Sequence, residues 1–179
     1  YTMVGCNEPA FLGAITGSNS KGNILKCVET LFHDRSESIV GAKDFDEFYR
    51  VFENVMFSDL DRIYEYDDKY NSVRARDVNY ISSLFFNDCI ENARSLTRGG
   101  GDVVIASPML LGITNVIDSL ITVKQFVFDE GAFTMADLVR AVRDDWNGHD
   151  DLLMLIKKRG LFYGNDDERS DMVARRLYD

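Results

Sequence analysis

Asp44-Phe-Asp-Glu-Phe-Tyr-Arg-Val-Phe-Glu-Asn-Val-Met56 puts Phe45, Phe48, Tyr49 and Phe52 at i, i+3, i+4 and i+7, and Val55 and Met56 extend the row. That spacing lays six apolar side chains along one face of an α-helix. Asp44 and Glu47 match a capping box at its start. Leu60, Ile63 and Tyr64 continue the stripe, so the helix is expected to reach the low seventies. Outward from it the same period recurs. Residues 23–34 read as a short helix after the Gly/Ser/Asn-rich loop Gly17–Gly22. A helix is expected over 78–96 with Ile81, Leu84, Phe85, Cys89 and Ile90 inward. Arg98-Gly-Gly-Gly-Asp102 then breaks the chain, and Val103-Val-Ile-Ala106 is the best strand candidate. Helices follow over 114–130, from the Thr134–Asp137 cap to near Asn147-Gly148, over 150–158 and over 166–177. The expected fold is helix-rich α/β.

Composition removes several function classes. The 179 residues include 12 Phe, 8 Tyr and 1 Trp, and 45% are hydrophobic, enough for a sizeable core. A net charge of −10, from 30 acidic and 20 basic residues, disfavours nucleic acid as a partner. No 18-residue apolar stretch predicts a membrane span. Cys6, Cys27 and Cys89 are too few and scattered for a disulfide framework, which points to a reducing cytoplasm. No Cys-x-x-Cys or His-x-x-x-His pattern supports a metal site. Gly99-Gly100-Gly101 precedes a strand with no Lys-Ser/Thr after it, so it reads as a plain turn rather than a phosphate cradle. The acidic pairs Asp67-Asp68, Asp144-Asp145, Asp150-Asp151 and Asp166-Asp167 fit no EF-hand spacing and read as solvated faces or helix N-terminal charges. Cys27 and Cys89 fall on helix faces and are expected to pack internally, and Trp146 is a packing anchor near a helix end.

Val4-Gly5-Cys6-Asn7-Glu8-Pro9 carries the chemistry. In an extended or tightly turned segment, residues i and i+2 face the same side, so the Cys6 thiol and the Glu8 carboxylate could share one cavity. Gly5 permits close backbone approach and Pro9 fixes the exit direction. The residues alone also allow a plain reading, with Cys6 a small buried hydrophobe and Glu8 a surface charge. A nucleophilic thiol would need a base, and neither His33 nor His149 lies at a diagnostic spacing.

Gly5-Cys6-Asn7-Glu8-Pro9 resembles the Gly-Cys-x-Glu-Pro thiol loop of the glycyl radical enzymes, the family of pyruvate formate-lyase and the diol dehydratases. Phe86-Asn-Asp-Cys-Ile-Glu-Asn-Ala-Arg94 with Thr97-Arg-Gly-Gly-Gly101 is similar to that family's Cys-Ile-Glu segment and glycine-rich turn. Gly112-Ile-Thr-Asn-Val-Ile-Asp-Ser-Leu120, with Lys124 and Val127–Glu130, resembles the helix beyond the turn. Phe162-Tyr-Gly-Asn-Asp-Asp167 resembles the stretch near the end of its lyase domain. Order and spacing agree over nearly all 179 residues.

The resemblance implies part of a ten-stranded α/β barrel, with residues 1–179 a single segment: thiol loop 1–22 and a helical, half-barrel remainder 23–179. It implies that Cys6 becomes a thiyl radical that takes a hydrogen atom from a small-molecule substrate, and that Glu8 is the acid/base group beside it. The substrate radical would then undergo dehydration, C–X lysis or decarboxylation. Cys6 has no adjacent second cysteine, which argues against the acyl transfer of a formate acetyltransferase. Asn7 stands where valine is usual. The motif that bears the glycyl radical, Arg-Val-x-Gly-Tyr, does not occur in the 179 residues, and the opening inside the thiol loop reads as a piece of a longer polypeptide. Alone, the chain is expected to be inactive. The resemblance further implies no directly bound cofactor, a glycyl radical outside this chain installed by an S-adenosylmethionine and iron–sulfur activating enzyme, the remainder of the parent polypeptide as partner, and a possible homodimer. Against it stands a noncatalytic helical interaction module, which an acidic surface and amphipathic helices would also suit.

Overall fold

A computed structural model describes residues 2–4, 8–10, 15–16, 21–101, 103–105 and 109–179; for 2–4, 8–10, 15–16 and 104–105 it describes the backbone only. In chain order the elements are β1 (Thr2–Val4), β2 (Glu8–Ala10), β3 (Ile15–Thr16), β4 (Lys21–Asn23), α1 (Leu25–His33), α2 (Ser36–Val40), α3 (Phe45–Arg74) and α4 (Tyr80–Ser83). A 3-10 turn at Leu96–Arg98 precedes β5 (Val104–Ile105) and β6 (Met109–Leu111). Then come α5 (Ile113–Thr122), which runs into a π-helical turn at Val123–Asp129, α6 (Met135–Arg143), α7 (Asp150–Arg159) and α8 (Glu168–Tyr178). The described strands form three pairs, β1–β2, β3–β5 and β4–β6, and close no barrel among themselves.

The chain folds as two compact units. One comprises Asn23–Asp59 and Leu111–Asp179. Its core is the apolar face of α3, with Phe48, Tyr49 and Phe52 fully buried beside Leu31, Ile39, Ile117, Leu120 and Phe126. The aromatic residues meet at edges and tilts: Phe45 stands T-shaped to Phe128 at 6.3 Å, and Tyr49 lies 5.7 Å from Phe52. Helix α5 packs against α1 and α8, and α6 packs against α1 and α2. Each large apolar side chain removed from water contributes roughly 1.5–3 kcal/mol, so this stripe dominates the unit's stability.

The helix ends are set by local chemistry. Asp44 accepts the Glu47 N–H at 2.8 Å, while the Glu47 carboxylate accepts the Lys43 N–H at 2.9 Å, one residue earlier than a standard capping box. Thr134 and Asp137 make the full reciprocal box that starts α6. The C-terminus of α1 is closed from a distance: Arg143 donates to the Phe32 and His33 carbonyls and to Ser36 Oγ. Residues Asp145 and Trp146 both take positive φ after α6, so the helix ends at Arg143, ahead of the Asn147-Gly148 expected from sequence.

The other unit comprises Tyr1–Gly22 and Leu60–Leu110. Here one expectation fails. The helix expected over 78–96 is only the four-residue α4, followed by turns to the 3-10 turn. Ser83 donates to the Asn79 carbonyl and accepts the Leu96 N–H, competing with the helix ladder. Asp88 and Ala93 sit at positive φ, which ends any continuous helix. Of the five residues expected inward, Cys89 is buried, but Ile81, Leu84, Phe85 and Ile90 are exposed. The α3 stripe likewise weakens past its middle, with Ile63 half-buried and Tyr64 exposed. The strand expected at 103–106 is present as β5, and the long helix ends at Arg74 as its spacing predicts.

Candidate functional site

Strands β1 and β2 run antiparallel, with Thr2 opposite Ala10, Met3 opposite Pro9 and Val4 opposite Glu8. Gly5, Cys6 and Asn7 connect them in sequence. Cys6 therefore lies outside the described residues, and Glu8 is placed by its backbone, at the loop-proximal end of β2. The sequence reads this segment as extended or turned; it is a two-stranded ribbon, whose short strands need further packing to persist in water. Pro9 lacks the N–H a ladder bond needs, so the Glu-Pro-Ala run is a poor match to a strand pattern.

The segment after the loop joins a second sheet. Ile15 pairs with Val104 and Thr16 with Ile105, in parallel. Parallel pairing needs a long crossover, and here it brings β3 beside the strand that follows the glycine turn. That turn is held tightly. Thr97 Oγ1 donates to the Asp77 carbonyl at 2.8 Å, Arg98 Nε to the Ala75 carbonyl at 2.9 Å, and Asn92 Nδ2 to the Gly100 carbonyl at 2.8 Å. The Gly100 N–H donates to the Ser95 carbonyl at 2.9 Å. A Cβ at Gly100 would stand 2.0 Å from the Arg94 carbonyl oxygen, so only glycine fits. The Gly99 and Gly100 amides are committed inside the turn, which supports the reading of a turn over a phosphate cradle.

The other sulfurs are accounted for by packing. Cys27 is fully buried on α1 and donates to Asp59 Oδ2 at 3.3 Å. Burial first, and the Asp59 carboxylate second, push its thiol up to about 12. Burial also raises the Cys89 thiol. Both stay protonated at neutral pH and are poor nucleophiles or metal ligands. Nothing in the sequence pairs Cys27 with a residue 32 positions away, so Asp59 was not foreseen. Among the described residues, no group of three His, Cys, Asp or Glu side chains could hold a metal ion.

In the helical unit, a cleft of about 380 Å³ lies between α1, α5, α6 and α7, walled by Val28, Phe32, Leu138, Trp146 and Leu153. Its acidic members are engaged: Glu29 pairs with Lys26, which holds the carboxyl below its ordinary range, and Asp118 accepts the Tyr163 N–H at 2.8 Å. It contains no acid–base pair suited to catalysis, and the catalytic candidates remain those of the first ribbon.

The model of the family described as "Pyruvate formate lyase-like" matches residues 1–179. The chain belongs to that family. Within the pyruvate formate lyase-like family it is similar to (2S)-3-sulfopropanediol dehydratase of Klebsiella oxytoca, 33% identical over 197 aligned residues that cover all of this chain and 24% of the relative. A solved structure concerned with 1,2-propanediol dehydration in Roseburia inulinivorans superposes on 99% of the chain and 25% of its own, with TM-score 0.89 and 26% identity. A glycyl radical enzyme from Archaeoglobus fulgidus shares the fold over 94% of the chain, at TM-score 0.79 and 22% identity. The expected helix-rich α/β fold and the resemblance to the dehydratase side of the glycyl radical enzymes are both borne out. The chain spans about a quarter of the length of these relatives. No helix among the described residues is long and apolar enough to cross a membrane.

Proposed function

We propose that this chain is the thiol-loop segment of a glycyl radical dehydratase or lyase acting on a small hydroxylated molecule. One observation carries the reading: a family match over residues 1–179 whose Gly5-Cys6-x-Glu8-Pro9 sequence falls at the junction of β1 and β2. The similarity to a (2S)-3-sulfopropanediol dehydratase supports a small diol, a sulfonated one first, as the substrate of this protein. Residues 1–179 form one segment of the lyase domain, with the loop in 1–22. The full-length protein works without oxygen in the cytoplasm, as a homodimer.

In this reading the Cys6 S–H bond breaks and its hydrogen atom passes to a glycyl radical elsewhere in the full-length polypeptide, re-forming that glycine's C–H bond and leaving a thiyl radical; the glycyl radical would be installed by an activating enzyme that uses S-adenosylmethionine and an iron–sulfur cluster. The Cys6 sulfur then forms an S–H bond as the substrate C–H bond breaks. Glu8 takes the proton of the hydroxyl on that carbon, within ~3 Å of it. The electron density released expels the neighbouring group with its bonding pair, and a proton returned by Glu8 neutralises it when it is hydroxide. The product radical recovers the hydrogen atom from Cys6. Electrons balance without an external oxidant. The lone cysteine of the loop disfavours the formate acetyltransferase alternative, and no observation favours the noncatalytic helical module. Replacing Cys6 by Ala in the activated full-length protein should abolish turnover while leaving the glycyl radical signal in electron paramagnetic resonance; retained turnover removes Cys6 from the mechanism.

A further inference from the structure

We propose that Val4, at the register position opposite Glu8, is a positioning residue for the Glu8 carboxylate: its β-branched bulk keeps that group where it takes the substrate proton. The proposal rests on the reading of Glu8 as the acid/base group of the thiol loop.

In the antiparallel ribbon Val4 pairs with Glu8, Met3 with Pro9 and Thr2 with Ala10. Residues directly opposite in such a pair belong to one face, with Cβ atoms about 4.5–5.5 Å apart, and the face alternates along each strand. Thr2, Val4, Glu8 and Ala10 therefore hold positions of one face, and Met3 and Pro9 hold positions of the other. Val4 and Glu8 are also the last pair before the Gly5-Cys6-Asn7 connection, each two residues from Cys6 in the chain. Position 4 is thus the cross-strand neighbour of the carboxylate at the end of the ribbon nearest the thiol in sequence.

The ribbon's backbone gives Glu8 little other support. Each strand has three residues, and Pro9, next to Glu8, has no N–H to donate to the ladder. Cross-strand side-chain pairs then carry more of the register. Valine suits that place. Branching at Cβ leaves it few rotamers, and it brings neither a charge to pair with a carboxylate nor a hydroxyl to compete for the proton. A general base acts only within hydrogen-bond reach of its proton, so a small displacement lowers the rate of the chemical step more than it weakens binding.

The test is a double-mutant cycle in the activated full-length protein, on a panel of small diols with sulfonated ones included, each rate divided by the glycyl radical content read by electron paramagnetic resonance. Val4→Ala should lower kcat about ten-fold with KM within about two-fold of wild type. Val4→Ile, which keeps the branch at Cβ, should stay within about three-fold of wild type. Val4→Leu keeps an apolar side chain and moves the branch to Cγ; it should fall like Val4→Ala, and it covers the case of an alanine variant that does not fold. In a Glu8→Gln background, Val4→Ala should cost less than about two-fold further, because the group it positions no longer takes a proton. Met3→Ala, at a position of the other face, should lower the rate by the same factor with Glu8 or Gln at position 8. Wild-type rates in both Val4→Ala and Val4→Leu, a Val4→Ile as slow as they are, or a full Val4→Ala loss that persists beside Glu8→Gln would each overturn the proposal. A strong Glu8→Gln loss with an additive Val4→Ala loss sinks the role of Val4 alone; a Glu8→Gln variant at wild-type rate sinks the reading of Glu8 and this proposal with it.

Discussion

The Cys27 thiol donates to the Asp59 carboxylate at 3.3 Å, joining α1 to the middle of α3 inside the helical unit. A cysteine in that setting behaves as a buried donor rather than a reagent. Its pKa is raised on folding, so the folded state holds the proton more tightly than the unfolded one. The contribution to stability is complete below the ordinary thiol pKa of ~9 and is lost as pH rises toward about 12. Chemical unfolding followed from pH 8 upward should show stability falling over that window. Cys27→Ala should flatten the slope and cost about 1–2 kcal/mol at neutral pH.

Arg176 stacks over the Tyr49 ring at 3.9 Å and pairs with Asp46, and its carbonyl accepts the Tyr49 hydroxyl at 3.0 Å. The exposed ion pair adds little, and the stacked guanidinium more. Arg176→Ala should lower stability by roughly 1 kcal/mol. Arg176→Lys should recover less than half, because an ammonium does not stack as a plane. Thermal unfolding of the two variants checks the order.

The Thr134–Asp137 box should be separable by chemistry and by pH. Thr134→Ala should cost about 1 kcal/mol and Thr134→Ser far less, since serine keeps the accepting hydroxyl. The Thr134 side chain and backbone bonds hold the Asp137 carboxyl below its ordinary range. Its contribution is therefore present above the ordinary aspartate pKa and disappears as pH falls through the lowered value. An acid titration of stability in wild type and Thr134→Ala should show the gap between them narrow at low pH, leaving the pH-independent part from the Asp137 N–H to Thr134 Oγ1 bond.

Gly100→Ala should damage one unit and spare the other. The new methyl meets backbone, the Arg94 carbonyl, which cannot swing away as a side chain can. A cost of roughly 2–3 kcal/mol is expected, from displacing the turn. Hydrogen exchange should rise across 89–105 and stay unchanged in α5 and α6.

Glu8→Gln tests the carboxylate proposed beside the substrate. The amide keeps the size and cannot take the proton. In the activated full-length protein, kcat should fall ~10²–10⁴-fold with a smaller change in KM. Rates within a few-fold of wild type would make Glu8 a structural residue of β2.

How much was readable in advance divides along a physical line. Long, periodic helices with their own caps announce themselves: α3 from Phe45 to Arg74, the α6 box at Thr134, and α7 and α8 stand within a few residues of their expected bounds. Cys6 and Glu8 are named from the contiguous thiol-loop pattern alone, Cys6 lying outside the described residues and Glu8 described by its backbone. The segment 78–96 was not legible. Its apolar spacing records that a face wants burial, while the Asn79–Ser83 contact and the left-handed Asp88 and Ala93 break the helix through choices that periodicity does not encode.

By itself, then, the order of residues determined the helical periods, their caps and the family, since each is written in neighbours a few positions apart. Tertiary structure decided that Val4 faces Glu8, that Ile15 lies beside Val104, that Cys27 finds Asp59, and that Ile81 and Phe85 stand exposed among the described residues. The reason is that strand partners, buried hydrogen bonds and the covering of an apolar face depend on which distant segments meet in space, and local sequence preference does not choose among them.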